Sequence, residues 1–95
     1  MLVHMVCFRY KPEVDAAARA AHRSRLQALS DLDGIIDLKV GGDVVGLPRS
    51  YDTGLLILFR DRAALDAYAT HPRHVPVAKF GPEYCLSVVS VDFEA

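Results

Sequence analysis

The sequence predicts an α+β fold, in which helices cover one face of a four-stranded antiparallel sheet in the ferredoxin-like order β-α-β-β-α-β. Three observations predict it. Four segments are rich in β-branched, aromatic and other apolar residues, as strands are. Two segments between them consist of helix-forming residues with apolar side chains three and four positions apart. The chain has 95 residues, which we interpret as one domain over 1–95.

The first strand is predicted over residues 2–10, before Pro12 interrupts strand pairing. Alternation places His4, Val6, Phe8 and Tyr10 on one face of this strand. Asp15 is then a suitable N-cap for a helix over residues 16–32, which Asp33-Gly34 closes. The apolar stripe of this helix contains five positions: Ala18, either Ala21 or His22, Leu26, Leu29 and Leu32.

The second and third strands are predicted over residues 35–46 and 51–60, as antiparallel partners. The pair Gly41-Gly42 inside the second strand indicates a bulge or bend. In the third strand, every residue from 55 to 59 is apolar, which indicates that both faces are covered.

The second helix is predicted over residues 62–71, with Asp61 as its N-cap. Its inward side chains are Ala64, Leu65 and Tyr68. Pro72 ends or kinks this helix, and residues 73–80 form a further helical turn. The fourth strand follows over residues 84–93.

The composition of the chain favours a homodimer. Hydrophobic residues make up 52% of the sequence, slightly more than the usual ~45–50%. In the fourth strand, Leu86 and Val88 face one side, and Val89, Val91 and Phe93 face the other. The chain's own helices cover one face only, so we expect the other face to meet a second copy.

Charge and chain-wide patterns argue against several classes of partner. The net charge of −1 offers no basic surface to nucleic acid. No apolar run approaches the ~20 residues that cross a bilayer, and the N-terminal residues lack the features of a signal peptide. The two cysteines, Cys7 and Cys85, do not make a disulfide framework and we interpret them as core residues. We therefore expect a cytoplasmic protein that binds neither nucleic acid nor membrane.

A specific resemblance emerges over residues 59–77, which read FRDRAALDAYATHPRHVPV. The pattern aromatic-x-D-x-x-A-L-x-x-Y-x-x-H-P-x-H-V in this segment resembles the signature of the stress-responsive α/β-barrel domain, the Dabb family. Two further runs match it: His4-x-Val6-x-Phe8 followed by Lys11, and Tyr51-Asp52-x-Gly54. The resemblance extends over essentially the whole chain.

The resemblance implies a dimeric α+β barrel, built from two ferredoxin-like protomers that pack sheet to sheet. Members of the family range from boiling-stable plant stress proteins without assigned chemistry to olivetolic acid cyclase. That enzyme closes a linear polyketide by intramolecular aldol condensation without a cofactor. Its catalytic tyrosine and histidine match Tyr68 and His74 here, and His4 and His71 match positions that line its pocket.

The chemistry of these residue types fits such a reaction. Imidazole accepts and returns protons near neutral pH, so His74 is the candidate base. Tyr68 is the candidate donor to an enolate oxygen. A structural interpretation stays open for both: His74 hydrogen-bonds the backbone that Pro72 leaves free, and Tyr68 is a core residue with its hydroxyl bonded. His4 either lines the pocket or is satisfied within the core, and His71 is better explained by the helix end.

The four histidines do not predict a metal site. No HExxH pattern occurs, and His71 and His74 are separated by a proline. His22 stands among arginines, and we expect it to face solvent. The sequence predicts no cofactor.

Three functional hypotheses remain. The first is a homodimer with a pocket for a hydrophobic small molecule and cofactor-independent, polyketide cyclase-like chemistry. The second is a non-catalytic stress-response or ligand-binding dimer, in which the same residues organise the barrel. The third is a cofactor-free monooxygenase, which the absence of tryptophan disfavours.

Overall fold

A computed structural model describes all residues from 1 to 95 and confirms the predicted fold class. Its eight elements are β1 (Leu2–Tyr10), α1 (Ala16–Gln27), β2 (Ile35–Gly42), β3 (Thr53–Phe59), α2 (Arg62–Ala69), α3 (His74–Ala78), α4 (Phe80–Tyr84) and β4 (Cys85–Glu94). The four strands form one sheet in the order β2-β3-β1-β4, and all neighbouring strands are antiparallel.

The register of the central strand β1 determines which side chains share a face. His4 is paired with Ile57 on β3 and with Asp92 on β4. Directly paired residues point to the same side of a sheet, so these three lie on the face that the helices cover. The core lies on this face, and its most buried side chains include Ile57 and Phe59, both 0% exposed.

Helix α1 is shorter than predicted, because it ends at Gln27 and not at residue 32. Asp15 does cap its start, accepting a hydrogen bond from the Ala18 amide at 2.8 Å. Beyond Gln27 the chain continues in tight turns, in which amides bond carbonyls three residues back. These turns still bury Leu29 and Leu32, so the predicted apolar stripe is buried over its full length although the helix ends at Gln27.

His22 lies on the buried stripe of α1, and the prediction that it faces solvent is wrong. The residue is 1% exposed, one helical turn before Leu26, which is also buried. Of the neighbouring arginines, Arg25 is exposed, whereas Arg23 is half-buried and donates to Thr53 Oγ1 at 3.1 Å. A charged neighbour in the sequence therefore did not decide the exposure of His22.

The bulge of β2 is also in a different place from the one predicted. Gly41 and Gly42 pair regularly with Gly54 and Thr53, whereas the register shifts between Ile35 and Asp37. Gly34, just before this shift, has φ of +87°, and a Cβ placed on it meets the Cβ of Ala64 at 2.6 Å. β2 therefore enters the sheet through a close contact between Gly34, the residue before the strand, and Ala64 of α2.

The second helical region is divided at Pro72, as the sequence predicts. Helix α2 ends at Ala69, and the His71 amide bonds the Tyr68 carbonyl at 3.1 Å. The chain then turns, with the His74 amide bonding the His71 carbonyl at 2.9 Å, and a new helix begins. This turn lets two side chains six residues apart face the same space.

The sheet face opposite the helices carries exposed apolar side chains. Met5 is 38% exposed, and three β4 residues are 45–55% exposed: Val89, Val91 and Phe93. None of the helices is long and apolar enough to cross a membrane.

Candidate functional site

A cavity of about 460 Å³ lies between the sheet and the helical layer. Most of its wall is apolar, and α3, α4 and β4 border one side of it. Four of its lining residues carry the imidazole and phenol groups that matter for proton transfer: His4, His22, Tyr68 and His74. A mostly apolar cavity with a few converging polar groups is typical of a small-molecule site.

Tyr68 and His74 lie side by side in this cavity, with ring centroids 3.9 Å apart. Tyr68 projects from α2 and is 4% exposed. His74 is the first residue of α3 and is half-buried. The turn at Pro72 thus brings together the two residues that the family resemblance implied as a catalytic pair.

The hydrogen bonds of this pair leave one reactive group free on each side chain. His74 donates from Nδ1 to the Ala69 carbonyl at 3.3 Å, because a carbonyl oxygen can only accept. Its Nε2 therefore holds the lone pair of a neutral imidazole. The Tyr68 hydroxyl makes no hydrogen bond within the chain, so this donor is free for a ligand.

The electrostatics of the cavity keep both groups in useful protonation states. Burial lowers the pKa of His74 below its ordinary value of 6.5, and the nearby His4 ring adds to this effect. The imidazole is therefore neutral and basic at pH 7. Burial raises the pKa of Tyr68 to about 12, so its hydroxyl keeps its hydrogen.

His4 stands next to this pair and is held by an acidic residue that the sequence analysis did not single out. The Nδ1 atom of His4 bonds the Asp92 carboxylate across the β1–β4 pair. The His4 ring lies 6.2 Å from the Tyr68 ring, centroid to centroid. The carboxylate fixes the orientation of the imidazole and leaves its Nε2 free.

His71, in contrast, does not line the cavity. Its Nδ1 accepts a hydrogen bond from the Arg73 amide at 3.0 Å, which stabilises the turn after α2. Arg73 in turn donates to the Ala28 carbonyl at 2.8 Å and to the Asp31 carboxylate at 3.0 Å. The turn that carries His74 is therefore fastened to the end of α1.

His22, which was expected to face solvent, lies in the cavity wall. Its Nδ1 lies 2.7 Å from the Tyr10 hydroxyl, which donates to Thr53 Oγ1 at 2.9 Å. Its ring stacks on Phe80, with centroids 4.1 Å apart. The four-residue spacing between Ala18, His22 and Leu26 allowed His22 on the buried stripe of α1, and this spacing was the available signal.

The polar residues of the cavity do not form a metal centre. No group of three or more His, Cys, Asp or Glu side chains is arranged to hold a metal ion. The arrangement instead combines a neutral imidazole, a protonated phenol and a carboxylate-held imidazole around an apolar space. Such a set can move protons to and from a bound carbonyl compound.

Comparisons with known proteins agree with this architecture. The family model of the stress responsive A/B barrel domain matches residues 2–95. No curated protein matches the chain. A dimeric ferredoxin-like protein of unknown function from Jannaschia sp. CCS1 is 29% identical and superposes with a TM-score of 0.83, covering 99% of this chain and 98% of that one.

Two structural neighbours have names that state an activity. The hydroxynitrile lyase from Passiflora edulis is 17% identical, with a TM-score of 0.86, and the match covers 97% of this chain and 90% of the lyase. A protein described as an antibiotic biosynthesis monooxygenase is 15% identical, with a TM-score of 0.80, and the match covers 100% and 98% of the two chains. At these identities, the similarity shows a shared fold.

Proposed function

Because the chain belongs to the stress-responsive A/B barrel domain (Dabb) family, we propose that it is a homodimer whose cavity binds a small, largely apolar carbonyl compound and catalyses an aldol-type ring closure without a cofactor. The observation that carries this proposal is the juxtaposition of two free groups. A neutral imidazole and an unbonded phenol, with ring centroids 3.9 Å apart, face one apolar cavity. A purely structural tyrosine in a core usually has its hydroxyl satisfied.

The proposed reaction begins with proton transfer from carbon. Nε2 of His74 takes a proton from the carbon next to a substrate carbonyl, and the electron pair of that C–H bond forms an enolate. The Tyr68 hydroxyl donates a hydrogen bond to the enolate oxygen, where the negative charge develops. The raised pKa of Tyr68 keeps the hydroxyl protonated for this role.

Ring closure then returns the proton. The enolate carbon attacks a second carbonyl carbon of the same molecule, forming one C–C bond and placing the charge on that carbonyl's oxygen. The protonated His74 gives its proton to this alkoxide, which restores the neutral base. His4, held by Asp92, contributes a further polar group to the wall beside the bound carbonyls.

The homodimer is part of the same proposal. The four apolar side chains exposed on the open face, Met5, Val89, Val91 and Phe93, lie opposite the helices and therefore outside the cavity. Packing this face against the same face of a second copy removes apolar area from water, at ~25 cal/mol per Å². The dimeric protein from Jannaschia, whose fold this chain shares, supports that arrangement.

A ligand-binding protein without chemistry is the second candidate. It is favoured by the backbone hydrogen bonds of His71 and His74, which give both histidines a structural task at the Pro72 turn. The two candidates differ in what the loss of His74 changes: turnover for the enzyme, thermal stability for the binding protein.

The test uses heptane-2,4,6-trione, a linear poly-β-ketone that closes to an aromatic ring with loss of water. We expect the wild type to accelerate ring closure, followed by ultraviolet absorbance. His74→Ala should reduce the rate by about 10²–10⁴-fold, and Tyr68→Phe by about 10²–10³-fold. His71→Asn, which retains a hydrogen-bond acceptor outside the cavity, is the control and should keep the wild-type rate.

The opposite pattern overturns the enzyme proposal. If the wild type binds the trione without accelerating ring closure, and His74→Ala lowers the melting temperature, the protein is a binding module. Melting temperatures of all variants are measured alongside the rates for this reason.

A further inference from the structure

His22 contains the single buried side-chain nitrogen or oxygen in the structure without a hydrogen-bond partner, its Nε2 atom. The residue is 99% buried and is also part of the cavity wall. Buried polar atoms in proteins are almost always paired, and an exception calls for an explanation. The atom itself has almost no accessible surface, so a bound molecule supplies the missing partner by shifting the side chains that cover Nε2 at the cavity wall.

The hydrogen-bond network around His22 determines what kind of partner Nε2 requires. The Tyr10 hydroxyl gives its hydrogen to Thr53 Oγ1, so its oxygen accepts from His22. The hydrogen of the neutral imidazole is therefore on Nδ1, 2.7 Å from that oxygen. Nε2 is then an acceptor, and it needs a hydrogen-bond donor.

The ring of His22 is held in place by its neighbours. Phe80 stacks on one face with an interplanar angle of 9°, and the Phe8 ring lies edge-on with centroids 4.8 Å apart. Burial, helped by the charges of Arg25 and Arg23, lowers the pKa of His22 to about 4, so the acceptor state persists at neutral pH.

His22 and the proposed catalytic pair lie at different positions along β1. The His22 ring contacts Phe8, whereas the Tyr68 ring lies near His4. His4 and Phe8 are four residues apart, which is ~13 Å along a strand. Between them the cavity wall is apolar and includes Val6 and Leu55.

We propose that His22 Nε2 is a second recognition point of the cavity, which accepts a hydrogen bond from a hydroxyl or N–H group at the end of the ligand remote from its reacting carbonyls. This inference rests on the proposed function and specifies its substrate class. The substrate is an elongated carbonyl compound with an apolar middle and a terminal hydrogen-bond donor. His22 is then a specificity-determining residue and takes no part in proton transfer.

The test compares two probes that differ in a single hydrogen-bond donor. Both are linear 2,4-diketones with a saturated chain, about 10–13 Å in total length; one chain ends in a hydroxyl and the other in a methoxy group. We expect calorimetry to show that the wild type binds the hydroxyl probe about tenfold more tightly, which corresponds to one net hydrogen bond. His22→Phe keeps a ring for stacking on Phe80 and should bind both probes equally, whereas His71→Asn should retain the preference.

A second measurement keeps the inference testable if His22→Phe does not fold. In wild-type protein with ¹⁵N-labelled histidine, the Nε2 resonance of His22 should move upfield with the hydroxyl probe and stay in place with the methoxy probe. Equal affinities for the two probes, or an unmoved resonance, overturn the inference. In that case, His74-dependent closure of heptane-2,4,6-trione would still support the proposed function. If the wild type binds neither probe and does not close the trione, both the inference and the proposed function are wrong.

Discussion

At the scale of single residues, His22 links the stability of the fold to pH. Its pKa is about 4 in the folded chain and near 6.5 in the unfolded chain. Between these values the unfolded state binds the proton and the folded state does not, so acid favours unfolding. We expect wild-type stability to fall by about 2–3 kcal/mol through this residue as the pH drops from 6.5 to 4. Urea denaturation at several pH values measures it.

The matched variant for this prediction is His22→Phe, which cannot titrate. The unfolding free energy of the wild type minus that of the variant should fall by the same amount as the pH drops from 6.5 to 4, because the contributions of other groups cancel. A difference that does not change with pH shows that His22 is protonated equally in both states.

The residues of the site were predictable from the sequence to different extents. Tyr68 and His74 share a short local pattern, and their shared cavity follows from the proline between them. The partnership of His4 with Asp92 joins the two ends of the chain and depends on the β1–β4 register, which local patterns do not determine. For His22, the charged neighbours suggested exposure, whereas its position on the apolar stripe, one turn before Leu26, buries it.

At the scale of elements, Gly34 allows β2 to enter the sheet against α2. Gly34→Ala places a Cβ 2.6 Å from the Cβ of Ala64, at a residue whose φ is positive. Gly46→Ala is the control, since its φ is +72° but no atom lies within 4 Å of the new Cβ. We expect a loss of about 2–4 kcal/mol for Gly34→Ala and about 1–2 kcal/mol for Gly46→Ala. Equal urea midpoints would show that the contact with α2 is not tight.

Element boundaries were less predictable than element types. The sequence places every strand and both long helices, because their periodicities are strong. It extends α1 by five residues, since Leu29 and Leu32 continue the helical spacing although the backbone has passed into turns. It also predicts the bulge at Gly41-Gly42, but both glycines pair regularly with β3. The register shift lies instead between Ile35 and Asp37.

At the scale of the whole molecule, the two faces of the sheet have different tasks. One face forms the core and the cavity, and the other presents exposed apolar side chains on β1 and β4. We expect light scattering to give a mass of about 21 kDa, twice the 10.5 kDa of one chain. Val91→Lys should shift the mass toward that of the monomer, whereas Ala20→Lys, at an exposed position of α1, should not. A wild-type monomer at micromolar concentration contradicts the dimer.

Solvent deuterium exchange tests directly whether His74 removes a proton from carbon inside this cavity, before any ring closure. Proton NMR follows the loss of the terminal methyl signals of heptane-2,4,6-trione in D₂O. We predict that the wild type accelerates this exchange over buffer, that His74→Ala returns it to the buffer rate, and that His71→Asn leaves it unchanged. A wild-type rate equal to that of buffer, or a folded His74→Ala variant as fast as the wild type, contradicts this role of His74.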